Sequence, residues 1–164
     1  MKSDEVLRLR PLELLRVLRE HDVDFLVIGG VAVAAHGYVR GTKDVDIIPQ
    51  PSRANLERLL AALAALDAVQ DIGDFRPEEM PVQLDLPGLA QGGNWILATR
   101  FGRLDVMQVV EGARSYETLR EGAVVKDGIT FVGLDDLIAM KHAAGRDLDH
   151  VDIRALEEAR GATS

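Results

Sequence analysis

Two aspartates separated by a single residue, Asp44 and Asp46, are the side chains of this sequence that point most clearly to chemistry. They begin the stretch DVDII, whose β-branched residues predict a strand over 45–48. Residues two apart on a strand point to the same face, so we expect the two carboxylates side by side. Two like charges this close are unfavourable unless a cation lies between them. A pair of divalent ions carrying a phosphate is the partner that this arrangement favours.

A third carboxylate is expected, because sites that use two metal ions for in-line phosphoryl displacement generally take one from a neighbouring strand. Asp105 is the first candidate, since it lies in the otherwise apolar run 104–107, where a lone aspartate is costly unless it is paired or metal-bound. Asp85 is the second candidate, although the prolines around it disfavour a central strand. The alternative is that Asp44 and Asp46 are solvent-facing residues at the end of a strand.

A glycine pair, Gly29-Gly30, lies upstream of the two aspartates, between a predicted strand over 23–28 and a predicted helix over 31–36. Glycine allows other groups to approach the backbone closely, and the N-terminus of a helix favours phosphate. The pair is therefore a candidate phosphate site, with an ordinary turn as the alternative. The sequence contains neither the G-x-G-x-x-G of dinucleotide-binding proteins nor the G-x-x-x-x-G-K of a P-loop.

The elements that would position these residues follow from hydrophobic periodicity. Helices are predicted over 11–20, 31–36 and 134–144, from about residue 149, and after Ser52, where one stripe contains Leu56, Leu59, Leu60, Leu63 and Leu66. Strands are predicted over 23–28, 45–48, 95–99 and 104–110, with a hairpin over 123–131. The segment 70–93, rich in Gly, Pro and acids, is expected to be the least regular and is a candidate substrate loop. This order predicts one α/β (α+β) domain over 1–164, a mixed β-sheet flanked by helices.

Composition restricts the classes of protein to consider. The 164 residues are 47% apolar and 28% charged, and there is no cysteine, which excludes disulfides and thiolate metal sites. No apolar run approaches the ~20 residues of a membrane span, and the first ten residues lack the apolar core of a signal peptide, so a cytoplasmic location is expected. The net charge of -8 argues against a broad nucleic-acid surface. Local cationic segments at 40–43 and 141–146 still suit a small polyanion such as a nucleotide.

Gly29-Gly30, then Asp44-x-Asp46, then a later Asp105 on a strand together resemble the nucleotidyltransferase superfamily, whose best-known member is DNA polymerase beta. The longer pattern GGVAVAAHG…RGTKDVDI…FGRLDV…LDDLIAMKHAAGRDLDHVDI is similar to a narrower branch of bacterial nucleotidyltransferase-like proteins related to the abortive-infection type IV toxins. The resemblance covers roughly residues 22–157, most of the chain, and implies the nucleotidyltransferase fold.

The resemblance also implies roles for individual residues. Asp44, Asp46 and Asp105 match the catalytic carboxylates that bind two Mg²⁺ ions, or Mn²⁺ in their place, and Asp105 matches the one that helps to deprotonate the attacking hydroxyl. Gly29 and Gly30 match the turn that holds the phosphates of the nucleotide. Arg40 and Thr42 match the nucleotide-binding segment that leads into the carboxylates. Many relatives carry a long C-terminal helical domain, and because this chain stops at Ser164, a homodimer or an antitoxin partner is expected.

The surroundings of Lys141 can be predicted from the residues of its own helix. Leu134, Leu137 and Ile138 define the buried face of its predicted helix, and Lys141 falls on that face by helical spacing. A lysine there either extends its ammonium to solvent or meets anions. Contact with the triphosphate of a nucleotide is the functional interpretation, which the acidic balance of the rest of the chain favours.

Three further charged residues, Arg146, Asp149 and Asp152, lie near the turn before the last predicted helix. They predict a cluster of salt bridges in which Asp149 is the N-cap. His36, at the end of the short helix after the glycine pair, is expected either to pack there or to contact a substrate. No histidine pair has the spacing of a zinc site, and there is no G-x-S-x-G motif of a serine hydrolase.

The sequence therefore favours a Mg²⁺-dependent nucleotidyltransferase, an ATP- or other NTP-binding enzyme that moves a nucleoside monophosphate from an NTP to an acceptor hydroxyl. The acceptor is left open between tRNA, a protein and a small molecule, and the acidic balance counts against tRNA. The toxin of a toxin–antitoxin pair is one expected biological setting. The alternative is a non-catalytic binding or regulatory module that keeps the nucleotidyltransferase fold.

Overall fold

A computed structural model describes residues 8–162, and one mixed sheet dominates it. Its strands are β1 (Phe25–Ile28), β2 (Asp44–Pro49), β3 (Val69–Gln70), β4 (Asn94–Thr99), β5 (Gly102–Met107), β6 (Val124–Lys126) and β7 (Ile129–Phe131). The helices are α1 (Pro11–Glu20), α2 (Gly29–Ala35), α3 (Arg53–Ala65), α4 (Leu86–Ala90), α5 (Tyr116–Glu121), α6 (Leu134–Ala144) and α7 (Asp147–Ala162). The predicted fold class, a mixed sheet with helices around it, is confirmed.

The strand order in this sheet is β3-β4-β5-β2-β1-β7-β6. Strand β2 pairs with β1 in antiparallel fashion and with β5 in parallel fashion. The β2–β5 pair brings together strands that are separated by more than fifty residues of sequence. That long-range pairing decides which side chains meet at the centre of the sheet.

The two faces of β2 and β5 differ in character because side chains alternate along a strand. Val45, Ile47, Leu104 and Val106 are fully buried in the apolar core on one face. Leucines of α1 and the predicted leucine stripe of α3 belong to the same core, which includes Leu14, Leu15, Leu18, Leu56, Leu59, Leu63 and Leu66. The opposite face of the same two strands is left for their charged residues.

Local sequence signals explain where several helices begin and end. Pro11 opens α1, where its missing N–H costs nothing. Ser52 caps α3, its side chain accepting a hydrogen bond from the backbone N–H of Asn55 at 3.3 Å. Gly145 ends α6 in the left-handed conformation, with φ of 63°. Each of these three signals was readable from the sequence.

Several element boundaries differ from the predictions, including those of β1 (Phe25–Ile28 instead of 23–28) and of α2 (Gly29–Ala35 instead of 31–36), whose first turn contains the glycine pair. Strand β5 ends at Met107 instead of 110, where the backbone N–H groups of Gln108 and Val109 bond to the side chain of Asn94. Helix α7 begins at Asp147, two residues before the predicted start. The segment 70–93, expected to be irregular, contains a 3₁₀ turn and α4, and the carboxylate of Asp85 caps α4 by accepting from Gly88 N–H at 2.8 Å.

None of the helices within residues 8–162 combines the length and the apolar character needed to cross a membrane. Residues 1–7, on which most of the signal-peptide prediction rests, and residues 163–164 lie outside the described part of the chain. The single-domain extent over 1–164 therefore stays a prediction.

Candidate active site

The parallel pairing of β2 with β5 places three carboxylates together on one face of the sheet. Asp46 lies opposite Asp105 in this register, and Asp44 lies opposite Arg103. Asp44, Asp46 and Asp105 each offer an oxygen within 4.8 Å of the other two. Among the described residues they are the group of three acidic or histidine side chains that could hold a metal ion, and Asp85 is not a member. Of the two sequence candidates for a third carboxylate, the structure brings Asp105 to the pair.

The electrostatics of the three aspartates favour a bound cation. Burial, together with the charges of Asp44 and Asp105, raises the pKa of Asp46 to about 8. A carboxyl with such a pKa retains a proton at neutral pH unless a positive charge compensates its neighbours. Carboxylate oxygens are the ligands that Mg²⁺ and Mn²⁺ prefer, so the donor set fits a divalent metal of this kind.

Arg103 is the residue of this site that the sequence reasoning missed. Its Nε donates to Oδ1 of Asp105 at 2.9 Å and its Nη2 donates to Oδ2 at 3.2 Å, while Nε lies 3.7 Å from Oδ2 of Asp44. The hydrogen bond to Asp105 raises the pKa of the guanidinium. A signal was present, because Arg103 precedes Asp105 by two residues on the same strand and so shares its face.

Gly29 and Gly30 have a steric role beside the carboxylates. Gly29 has φ of 69°, and a Cβ added there would lie 2.0 Å from Oδ2 of Asp46. A Cβ at Gly30 would lie 2.7 Å from Oγ1 of Thr42 and 3.2 Å from Nη1 of Arg40. Because neither glycine has a Cβ, the pair leaves room for the side chain of Asp46 and for the segment that leads into β2. Its predicted contact with nucleotide phosphates stays a prediction.

The segment before β2 is tied to the last two helices by buried ion pairs. Arg40 donates from Nε and Nη2 to the two oxygens of Asp152, each at 2.8 Å. The Nζ of Lys141 lies 3.2 Å from Asp149 and 3.0 Å from Asp152, and both carboxylates are fully buried. Burial opposes ionisation of Asp149, but hydrogen bonds from Arg146 and Lys141 outweigh it and lower its pKa to about 2. The salt-bridge cluster expected near the last turn is present.

Two sequence interpretations change at this cluster. Lys141 is 6% exposed and its ammonium meets anions, so it does not extend to solvent. Asp149 is not the N-cap of α7, because the helix starts at Asp147 and Asp149 is its third residue. From that position its carboxylate accepts from the backbone N–H of Arg146 at 3.1 Å. Contact of Lys141 or Arg40 with a nucleotide stays a prediction.

The remaining candidates near the site have local partners. The Nε2 atom of His36 lies 2.8 Å from the carbonyl oxygen of Val132, which fits the packing interpretation of this histidine. Thr42 donates from Oγ1 to the carbonyl oxygen of Asp44 at 3.0 Å and so holds the entry to β2. The contact of His36 thus joins the end of α2 to the residue that follows β7.

A cavity of about 430 Å³ opens at the carboxyl ends of β2 and β5. Ile48 and Met107, two of its lining residues, each follow a site aspartate by two positions on the same strand. Its remaining wall is largely apolar and includes Leu56, Leu89 and Val109. A volume of this size is in the range of pockets that hold small molecules.

Comparison with known proteins gives a structural likeness and no likeness in sequence. No protein-family model matches the chain, and no curated protein matches it significantly. The lincomycin-bound crystal structure of the lincosamide antibiotic adenylyltransferase LnuA is similar over 93% of this chain and 99% of that one, with a TM-score of 0.63 and 14% identity. The crystal structure of ANT(2'')-Ia in complex with adenylyl-2''-tobramycin is similar over 92% of each chain, with a TM-score of 0.53 and 14% identity. The chain therefore has the nucleotidyltransferase fold that the sequence predicted.

Proposed function

We propose that this protein is a divalent-metal-dependent nucleotidyltransferase that moves a nucleoside monophosphate from an NTP to a hydroxyl of a small molecule and releases pyrophosphate. One observation carries the proposal: Asp44, Asp46 and Asp105 converge within 4.8 Å on the central strands of a fold shared with two antibiotic-modifying enzymes. A non-catalytic module would have no need to keep three carboxylates together at the cost of raising the pKa of Asp46.

The three aspartates would hold the metal ions. When bound, these ions supply positive charge to the phosphates of the donor and lower the pKa of the acceptor hydroxyl. Asp44 and Asp46, two residues apart on β2, would orient the donor, and Asp105 on β5 would help to take the proton of the acceptor hydroxyl. Mg²⁺ is the expected ion and Mn²⁺ a substitute, since both accept carboxylate oxygens.

The donor nucleotide would lie toward the glycine pair and the cationic segment. We assign phosphate contacts to Gly29 and Gly30, with Arg40, Thr42 and Lys141 setting the position and potential of that side. Arg40, Lys141 and Arg146 carry one positive charge more than their partners Asp149 and Asp152, which favours a polyanion nearby. Both structural neighbours are connected with adenylyl transfer by name, so ATP is the first donor to test.

A small-molecule acceptor agrees with three observations. A cavity of about 430 Å³ lies at the ends of β2 and β5, where Ile48 and Met107 line it, although none of the three aspartates is among its lining residues. The net charge of -8 disfavours a long nucleic acid. The neighbours are described with lincomycin and with adenylyl-2''-tobramycin, which are small molecules. A toxin role, a tRNA or protein acceptor, a homodimer and an antitoxin partner stay predictions from the sequence.

The test is transfer of label from each of the four α-³²P-labelled NTPs with Mg²⁺ or Mn²⁺. The acceptors supplied are a panel of lincosamides and aminoglycosides, bulk tRNA, and total cell protein. We expect labelled small molecule with at least one acceptor, and loss of that product in the double variant Asp44→Asn/Asp46→Asn. Asp127→Asn is the matched control, because it makes the same chemical change at the tip of the β6–β7 hairpin, where asparagine is well tolerated.

Transfer that survives in the double variant would refute the assigned chemistry. Label found only in tRNA or protein would refute the small-molecule acceptor while leaving the transferase in place. No transfer to any acceptor, with all four donors, would favour the non-catalytic alternative.

A further inference from the structure

Arg103 is bound directly to the aspartate cluster, yet it is neither one of the proposed metal ligands nor one of the residues proposed to contact the donor. One guanidinium takes both oxygens of Asp105, at 2.9 and 3.2 Å, and its Nε also lies 3.7 Å from Asp44. A two-point bond between arginine and carboxylate is among the stronger polar contacts in proteins. Such a bond to a residue expected to ligate a cation calls for an explanation.

The guanidinium and a divalent cation compete for Asp105. Both are positive, and both require lone pairs of the same carboxylate, so the two cannot be held there at full strength together. The side chain of Asp105 is 11% exposed and that of Arg103 is 41% exposed. The arginine is therefore the partner that is free to move, because its longer side chain reaches solvent.

The chemistry of arginine suggests where it would move. Its planar fork suits phosphate oxygens as well as carboxylate oxygens. Arg103 lies opposite Asp44 in the register of β2 with β5, on the face that carries the three aspartates. A donor phosphate brought to those aspartates would come within reach of the same side chain.

We propose that Arg103 exchanges partners during substrate binding: it holds Asp105 in the free protein and moves to a phosphate oxygen of the donor when cation and nucleotide bind together. The inference rests on the proposed function, since it assumes a phosphate donor at this site. Its consequence is ordered loading. Arg103 weakens cation binding to the free protein and strengthens binding of the cation–nucleotide pair.

The test measures binding and does not depend on turnover. Free Mn²⁺ is followed by electron paramagnetic resonance while it is titrated into the protein, with and without a non-hydrolysable ATP analogue. Arg103→Gln is expected to bind Mn²⁺ alone about tenfold more tightly, and to bind the analogue with Mn²⁺ about tenfold more weakly, each a typical effect of losing one charged hydrogen-bonded partner. Arg53→Gln is the matched control, because Arg53 is an exposed arginine whose ion pair is with Glu57 on α3.

Arg103→Lys separates partner exchange from a simple effect of charge. Lysine keeps the positive charge but lacks the fork that takes both oxygens of Asp105. We expect Arg103→Lys to shift both titrations in the same directions as Arg103→Gln. Titrations of Arg103→Lys that match the wild type would show that charge alone is responsible, and would overturn the exchange.

Failure of this inference can be told apart from failure of the proposed function. If the wild type binds Mn²⁺ and Asp44→Asn/Asp46→Asn does not, the metal site stands, and unchanged titrations of both Arg103 variants overturn the exchange alone. If wild-type binding of Mn²⁺ does not depend on these aspartates, the metal site and the exchange are both refuted.

Discussion

Replacement of Gly29 by alanine tests whether the glycine pair exists to admit Asp46. The added Cβ would lie 2.0 Å from Oδ2 of Asp46, and since ordinary contacts begin near 3.4 Å, the two groups must separate by roughly 1.4 Å. Gly29 also has φ of 69°, where a residue with a Cβ costs about 1–2 kcal/mol. Both effects act at one position, one on stability and one on the geometry of a proposed metal ligand.

The expected results of Gly29→Ala differ in size. The conformational cost alone should lower the melting temperature by about 2–8 °C in a chain of this length. Displacement of a ligand by about 1 Å should lower the transfer rate by about a hundredfold, since catalytic geometry is that sensitive. Mn²⁺ affinity should fall with it, because Asp46 no longer meets Asp44 and Asp105 in the same geometry.

Gly161→Ala is the matched control for this experiment. Gly161 lies near the end of α7, nothing is within 4 Å of an added Cβ, and its φ is not positive. We expect it to melt no lower than the wild type, since alanine favours a helix, and to bind Mn²⁺ and transfer nucleotide as the wild type does. Differential scanning calorimetry, Mn²⁺ titration and the labelled-NTP assay measure the three quantities. A folded Gly29→Ala protein with wild-type Mn²⁺ affinity and transfer rate would refute the steric reasoning.

Three further outcomes follow from the structure. The pKa of Asp46, raised to about 8, means that the folded protein holds a proton that the unfolded chain loses near pH 4, so this group should cost stability progressively as pH rises from about 4 to 8. Melting curves across pH 5–9 without metal should show this loss of stability, and Asp46→Asn should reduce it. A flat wild-type profile contradicts the prediction. Lys141→Met leaves Asp149 and Asp152 buried with one cation fewer, so it should lower the free energy of unfolding, measured by urea denaturation, by about 3–5 kcal/mol. Lys43→Met, at an exposed site, should lower it by about 0.5 kcal/mol or less. Equal effects of the two substitutions contradict the buried-pair argument. Val109→Trp should narrow the cavity, and so raise the KM for the acceptor while leaving the KM for the NTP unchanged. Steady-state kinetics measure both constants. If neither KM changes, or if both change, this cavity is excluded as the acceptor site.

The helices and strands near the site were predictable because their signals are local. Proline at the start of α1, Ser52 before α3, the Asp127-Gly128 turn and Gly145 after α6 each act within a few residues. Boundaries that depend on distant partners were less predictable. Strand β5 ends where the side chain of Asn94 takes over its backbone bonds, and no feature of 108–110 indicates this.

The same distinction applies to the candidate site, where some features follow from local sequence and others from long-range contacts. The DxD pattern by itself indicates two carboxylates on one face of a strand, because side chains alternate along any strand. The convergence of Asp105 on them, and the contact of Asp46 with Gly29, depend on which strand and turn lie beside β2. The cost of a lone aspartate in an apolar strand made Asp105 the first candidate, ahead of Asp85, and the resemblance to nucleotidyltransferases supported it. Neither predicted the contact of Asp46 with Gly29.

The sequence by itself determined which residues carry charge, where most of the longer strands and helices form, and that Asp44 and Asp46 share a face, since these properties arise within one segment of chain. The tertiary structure decided what those charges meet. Asp105 and Arg103 reach the pair through a parallel strand far away in sequence, and Lys141 finds its carboxylate partners on the following helix, α7. The physical reason is that the free energy of a buried charge depends on the groups packed around it, and packing joins segments whose separation along the chain carries no information about their distance in space.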